Sequence, residues 1–336
     1  MHTRPTLTDA LNHTRYAPGQ RKGHYESFYQ RANHPTRPLA FWIRYTVFSP
    51  KGQPDAAIGE LWAVFFDGET GQHVVAKEEH PIRDCAFDRD AFGARVADSV
   101  LTTGALHGGC SGPAGSVRWD LTYDGSAAPL YLLPEGLYDT PFPKAKSLVG
   151  VPLATYRGQL EVDGRRIDID NWVGSQNHNW GSQHTDHYAF AQVAGFEDSP
   201  DSFLEVVSAQ VRIGPVRTPL LTFCVLRHAG REHSIVSLPQ ARRAKARFGY
   251  FDWDFTTVSS DVRITGHVSA PAEAFVGLNY YNPPGGIKHC LNTKIGSCDV
   301  TLTDLGTGRS ETLRAPDRAL FEILTDDRSH GIAIRA

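Results

Sequence analysis

Residues Ser175 to Phe190 read SQNHNWGSQHTDHYAF, with His178, His184, His187, two Asn, two Gln, Trp180 and Asp186 in one short run. Imidazoles at that density can hold a metal, move protons or satisfy buried backbone groups. A zinc-type site needs three ligands converging within ~2.0–2.2 Å of the ion. The histidine spacings do not favour that: His187 falls on the wrong strand face, and no H-x-H pair or H-E-x-x-H is present. No metal is therefore expected. Read as a strand, the run groups His178, Trp180, Ser182, His184 and Asp186 on one face and Asn177, Asn179 and Gly181 on the other. Acid/base work would use His178 beside Trp180, with Asp186 available to His184. The competing role is a hydrogen-bonded cluster that closes a barrel end or a domain interface.

Other chemistry-bearing residues sit in aromatic company. In HYESFYQR, Glu26 and Phe28 share one face and Tyr25, Ser27 and Tyr29 the other. A carboxyl on an inward apolar face has a raised pKa, as a general acid requires; alternatively Glu26 pairs with Arg44 as a buried ion pair. In FWIRYTVF, Phe41, Ile43, Tyr45 and Val47 read as core, while Trp42, Arg44, Thr46 and Phe48 face the other way. Arg44 there would orient Glu26 or bind an anionic head group. FGYFDWDF places Asp252 and Asp254 on one face, about 7 Å apart along a strand, and Phe251, Trp253 and Phe255 on the other. If desolvated, one carboxyl becomes a proton donor; if the aromatics point inward, both are merely solvated. Tyr280, Tyr281 and Asn292 add polar tips to apolar bodies.

Several reaction classes lack support. There is no G-x-S-x-G and no catalytic cysteine signature. GGCSGPAG is glycine-rich but lacks the Lys-Ser/Thr ending of a phosphate loop, and no dinucleotide fingerprint is present. The net charge of −3 gives no electrostatic reason to expect a nucleic-acid partner. The one basic run, ARRAKARF, reads as a solvated loop or turn. Five cysteines without C-x-x-C argue against a disulfide framework. No apolar run approaches the ~20 residues of a membrane span, and the first twenty residues lack the apolar core of a signal peptide. A cytoplasmic protein is expected, with transient contact at a membrane surface left open.

The elements that must position these residues are mostly strands. SVRWDLTYDG alternates Val117, Trp119, Leu121 and Tyr123 against polar neighbours and ends in Asp-Gly. QLEVDGRRIDID is a hairpin about Asp163-Gly164. LWAVFFDGET and PLLTFCVLRHAG are denser strands ending at glycine turns. Two helices are expected, over Asp88–Leu101 and Ala315–Leu324. With 336 residues, 40% hydrophobic and 21% charged, the chain should form about two globular domains. Many short strands point to an all-β protein of two tandem antiparallel barrels or sandwiches. The Pro- and Gly-rich stretch 134–158 suggests domains of 1–150 and 151–336.

Three segments together resemble a known group: His24 to Pro50 with GELWAVFFD, the HNWG of His178 to Gly181, and NYYNPPGGIKHCLNTKIGSCDVTL from Asn279 to Leu302. They look like the hydroxyneurosporene synthase (carotenoid hydratase) and tocopherol-cyclase-like group of the calycin superfamily. The resemblance runs over most of the chain. It implies two lipocalin-like β-barrel domains, an apolar cavity for a lipid, polyene or terpenoid, and HNWG near that cavity. It also implies carbocation or pericyclic chemistry without a cofactor: hydration of an olefin, or ring closure.

Residues and resemblance together suggest a cofactor-independent hydratase, cyclase or isomerase acting on an apolar polyene, terpenoid or lipid-like molecule. Its catalytic candidates are His178, Glu26, Asp254 and Tyr281; its binding candidates are Trp180, Arg44, Trp42, Asn179, His184, Trp253 and Asn292. The rival is a non-catalytic lipocalin-like carrier. An enzyme should turn a carboxylate or imidazole onto an apolar cavity wall, whereas a carrier should keep titratable groups at the mouth.

Overall fold

The computed structural model describes residues 11–213 and 216–336. The first half builds twelve strands: β1 (His24–Asn33), β2 (Leu39–Ser49), β3 (Ile58–Asp67), β4 (Val74–Pro81), β5 (Cys85–Phe87), β6 (Gly93–Val96), β7 (Ser99–Thr102), β8 (Ala105–Gly112), β9 (Gly115–Asp124), β10 (Leu130–Tyr131), β11 (Ala145–Val162) and β12 (Arg165–Gly181). The rest builds β13 (His187–Phe196), β14 (Ser199–Gln210), β15 (Arg212–Ile213), β16 (Val216–Arg217), β17 (Leu221–His228), β18 (Arg231–Ile235), helix α1 (Leu238–Arg243), β19 (Lys245–Phe248), β20 (Asp252–Val258), β21 (Val262–Ser269), β22 (Val276–Tyr281), β23 (Ile287–Asp304) and β24 (Ser310–Thr325).

These strands form two large antiparallel sheets, the two-domain β-barrel architecture expected from the alternation. The first runs β4-β3-β2-β1-β12-β11-β9-β8-β7-β6-β5, with β10 on β11. It curls until β4 lies against β8, where the Ser111 N–H donates to Glu78 at 2.8 Å, so the barrel is nearly closed. The second runs β18-β17-β14-β13-β24-β23-β21-β20-β19, with β22 on β23; α1 lies against both β17 and β20. Residue 150 falls inside β11, which pairs with β9 and β12, so the first sheet continues to Gly181.

Local chemistry explains the strands that were legible. In β9, Val117, Trp119, Leu121 and Tyr123 are buried and their neighbours exposed. Asp163 and Gly164 both take positive φ, as a two-residue hairpin turn requires. The two expected helices are strands instead. Asp88–Leu101 is largely the β6–β7 hairpin, where Val96 and Leu101 meet inside the barrel from two short strands. Folding back a β-branched segment reproduces the apolar spacing of a helix turn by coincidence. Ala315–Leu324 belongs to β24, and Pro316 sits at a register irregularity rather than at a helix start. Beyond it both strand faces are buried, so no alternation survives in the sequence. The basic run forms the end of α1 and edge strand β19, with its cations in solvent.

Strand β2 serves two cores at once. Phe41, Ile43 and Tyr45 fill the first barrel with Phe28, Leu61 and Trp119. Ala40 and Trp42 point outward and, with Trp62, Val64 and Phe66, join the core that includes the second sheet. The outer face of β1–β3 is therefore a domain interface rather than solvent-facing surface.

Candidate functional site

Where the two sheets diverge, a cleft of about 180 Å³ opens between them. Its register is explicit. Tyr29 on β1 lies opposite Arg44 on β2, and Ser27 lies opposite Asn179 on β12, so Tyr25, Tyr29, Arg44 and Asn179 face outward from the first barrel. Across from them, Tyr188, Phe190, Val207, Ala209, Leu221 and Phe223 share the opposing face of β13, β14 and β17. Leu132 and Leu133 complete an apolar wall, and Phe142 and Leu238, 51% and 47% exposed, stand at the rim.

The floor is polar. His184 lies in the turn after β12 and stacks on Tyr25 with ring centroids 3.8 Å apart; its backbone N–H donates to Asn282 Oδ1 at 3.0 Å. Gly181 permits this exit, because a Cβ there would sit 2.1 Å from the Lys144 carbonyl oxygen. Arg44 donates from Nη2 to Ser27 Oγ at 2.7 Å and lies 4.4 Å from the Tyr280 ring centroid. Glu322 accepts from Asn292 at 2.8 Å, from Lys294 at 2.9 Å and from the Tyr188 hydroxyl at 3.4 Å.

Burial sets the protonation of these groups. Desolvation, helped by the Arg44 charge, pushes His184 down to about 3, so its imidazole is neutral near pH 7. Burial also drives the Tyr25, Tyr188 and Tyr280 phenols above their ordinary range. For Arg44, burial opposes the charge, but Tyr280, Glu60 and Glu322 outweigh it and raise the guanidinium. The cleft thus offers a neutral base, a fixed cation and neutral phenols.

The structure separates the sequence candidates. Arg44, Trp42, Asn179 and His184 line the cleft. Asn292 stands behind it, holding Glu322. His178 and Glu26 lie on the other side of the same sheet, inside the first barrel. His178 Nε2 meets Glu26 Oε1 at 2.8 Å, and its ring stacks between Phe28 at 4.2 Å and Trp180 at 4.5 Å. Glu26 also accepts from the backbone N–H groups of Arg15 and Tyr16, both at 2.8 Å, and meets His24 at 2.9 Å. Burial opposes its ionisation, but the hydrogen bonds and charges of His178 and His24 win and hold the carboxyl down to about 2, the opposite of the raised value expected. The expected Glu26–Arg44 pair does not form, because strand alternation puts the two on opposite faces. Trp180 is covered by Leu11, Tyr138 and Leu148, with the Arg15 guanidinium 3.8 Å above its ring.

The remaining candidates also lie elsewhere. Asp254 faces solvent beside His267 at 2.8 Å, and Trp253 packs in the second core, the amphipathic-strand alternative. Tyr281 points away from the cleft onto Phe48 and Lys77; Tyr280, one residue earlier, lines it. Asp186 does not reach His184 for a hydrogen bond and instead accepts from the Arg212 N–H at 2.6 Å. Alternation from His178 to His184 fails because β12 ends at Gly181.

Sequence reasoning missed Tyr25, Tyr188 and Glu322. Tyr25 was recoverable from its parity opposite Glu26, but Glu322 was hidden in a segment that reads as helical. It also missed a buried network between the sheets: Arg31 donates to Gln192 at 2.9 Å, which donates to Glu205 at 3.0 Å and to Asn177 at 2.8 Å. Desolvation pushes Glu205 up to about 7. Among the described residues no group of three or more His, Cys, Asp or Glu converges as a metal site, and no helix is long and apolar enough to cross a membrane.

No family model matches the chain. Two Mycobacterium tuberculosis sequences, the uncharacterized proteins Rv0493c and MT0513, are each 25% identical over 297 residues, 86% of this chain and 86% of theirs. Among solved structures, kievitone hydratase from Nectria haematococca superposes with a TM-score of 0.57 at 12% identity, covering 96% of this chain and 93% of its own. A Nitrosomonas europaea protein provisionally named AttH superposes with a TM-score of 0.55 at 12% identity, covering 90% and 92%. The chain shares their fold.

Proposed function

We propose that the chain is a hydro-lyase or isomerase that acts on an apolar, lipid-like alkene in the cleft between its two β domains. The observation that carries this reading is the neutral imidazole of His184, buried beside Arg44 on the floor of an apolar-walled cleft. A carrier needs no such group at depth. The hydratase among the structural neighbours supports the class of reaction, at the level of fold only.

The chemistry is proton transfer without redox. On an alkene conjugated to a carbonyl, water's oxygen bonds to the β-carbon while His184 takes its proton, the displaced π electrons rest on the carbonyl oxygen, and return of that proton to the α-carbon completes the addition. The reverse sequence eliminates water. Size constrains the ligand: a cavity of about 150 Å³ holds a benzene, so the roughly 180 Å³ here holds one ring or one isoprenoid end. A longer chain would leave between Phe142 and Leu238.

The test is mass spectrometry. Lipids co-purifying with the protein are identified, and terpenoid and polyene alkenes are then incubated with wild type and His184→Ala. Gain or loss of one water by wild type, reduced about 100-fold or more in the variant, is the expected result. Turnover unchanged in His184→Ala removes His184 from the chemistry. Ligands that bind and return unaltered leave the carrier.

A further inference from the structure

We propose that the inner end of the cleft is an anion subsite, in which Arg44 receives a carboxylate, sulfonate or phenolate oxygen carried at one end of an otherwise apolar ligand. This rests on the cleft being the ligand site, and it adds the chemical class of ligand.

Other buried cations in this protein find partners within the fold. Lys294 pairs with Glu322 at 2.9 Å, and Lys77 pairs with Glu60 at 3.0 Å and Glu79 at 2.6 Å. Arg31 has no carboxylate, donates to Gln192 and Asn33 and keeps its Nη2 unpartnered among the described residues, but it does not line the cleft. Arg44 is only 4% exposed and lines the cleft, yet among the described residues no carboxylate pairs with it. Its single side-chain hydrogen bond goes to Ser27, and its Nε is buried without a partner. A buried guanidinium in that condition is an unfilled demand for an acceptor, and its planar fork suits a paired-oxygen anion.

Two neighbouring atoms share the condition. Trp42, two residues along the same face of β2, also lines the cleft and has a buried, unpartnered Nε1–H. Asn179 on β12 leaves its buried Oδ1 without a donor, which suits a hydroxyl next to the anion. The one carboxylate lining the cleft, Glu322, is neutralised by Lys294 behind it. His184 is neutral, and Lys146 at the rim, its ammonium pushed down by burial, donates to the Thr140 and Pro143 carbonyls. Arg44 is therefore compensated only at a distance, by Glu60 and Glu322, in a low-dielectric setting where an anion in direct contact gains most. The opposing wall of Val207, Leu221 and Phe223 takes the apolar remainder.

A matched dye pair tests this. 1-Anilinonaphthalene-8-sulfonate and N-phenyl-1-naphthylamine share a skeleton and differ by the sulfonate, and both brighten in apolar sites. Wild type should bind the sulfonate about 10-fold tighter, the gain of one charge-assisted hydrogen bond. Arg44→Met should erase the preference, and Arg44→Lys should keep part of it. Circular-dichroism melts establish that the variants fold, and the wild-type pair alone already decides if they do not. Equal wild-type affinities, or a preference that survives in Arg44→Met, would overturn the subsite. Val207→Trp, which fills the apolar wall, should weaken both dyes alike. If it weakens neither, the dyes do not occupy the cleft and the cleft reading fails together with the subsite. If it weakens both while their affinities are equal, only the subsite fails.

Discussion

Strand β1 divides two buried histidine clusters, one sealed inside a barrel and one lining a cleft. On the barrel side, His178 and Glu26 are locked among Phe28, Trp180, His24 and two backbone N–H groups; the carboxylate is saturated, while His178 Nδ1 has no partner among the described residues. On the cleft side, His184 and Arg44 are equally buried, yet Arg44, Trp42 and Asn179 keep atoms without partners. Burial and perturbed titration are common to both, so neither property separates structure from function. Position does: the unpartnered His178 Nδ1 is sealed inside protein, whereas the open atoms of Arg44, Trp42 and Asn179 belong to residues that line a cavity, where a ligand can reach them.

The largest expected effect that would break this comparison is on the barrel side. Glu26→Ala leaves His178 and the Arg15 and Tyr16 N–H groups unpaired and should cost about 3–5 kcal/mol in denaturant unfolding. If it costs under about 1 kcal/mol while abolishing turnover, the assignments of the two clusters are reversed.

Next comes His184→Ala, expected to lower turnover about 100-fold or more while shifting stability by only about 1 kcal/mol. His178→Ala should behave oppositely, losing stability while its folded fraction still turns over substrate.

The pH dependence sharpens the same contrast. Glu26 is held down to about 2 from an ordinary 4.5, so its stabilisation is complete above about 4.5 and is lost as pH falls towards 2. Glu26→Gln should flatten the unfolding free energy over that window. Both histidines are depressed from 6.5, His178 to about 4 and His184 to about 3. Below 6.5 the unfolded chain binds more protons at these sites, so stability falls progressively as pH drops through that range. Turnover that relies on His184 as base should accordingly show no step near 6.5, and a rate profile titrating there would argue against it.

The smallest effect is at Asp254. Asp254→Asn, on an exposed face, should change stability by less than about 0.5 kcal/mol and leave turnover within about twofold. A larger loss of activity would restore it as a candidate.

Much of this architecture was legible in the sequence. Alternation in β9, the Asp163-Gly164 turn and the paired faces of β2 are local consequences of pleat geometry and turn sterics. They require no knowledge of the partner strand. The residues singled out in the sequence include Arg44, Trp42, Asn179 and His184, which line the cleft. The sequence could not say which face of β1 and β12 looks into a cavity, because both faces are buried and both are polar. His178 and Asn179 are chain neighbours, yet one enters a barrel and the other a cleft. Glu322 was hidden for the same reason: a strand buried on two sides loses the period that identifies it. Burial on both faces is a property of the packing of two sheets. Only the tertiary structure decides which polar residues are sealed within a barrel and which line a cleft that a ligand can enter.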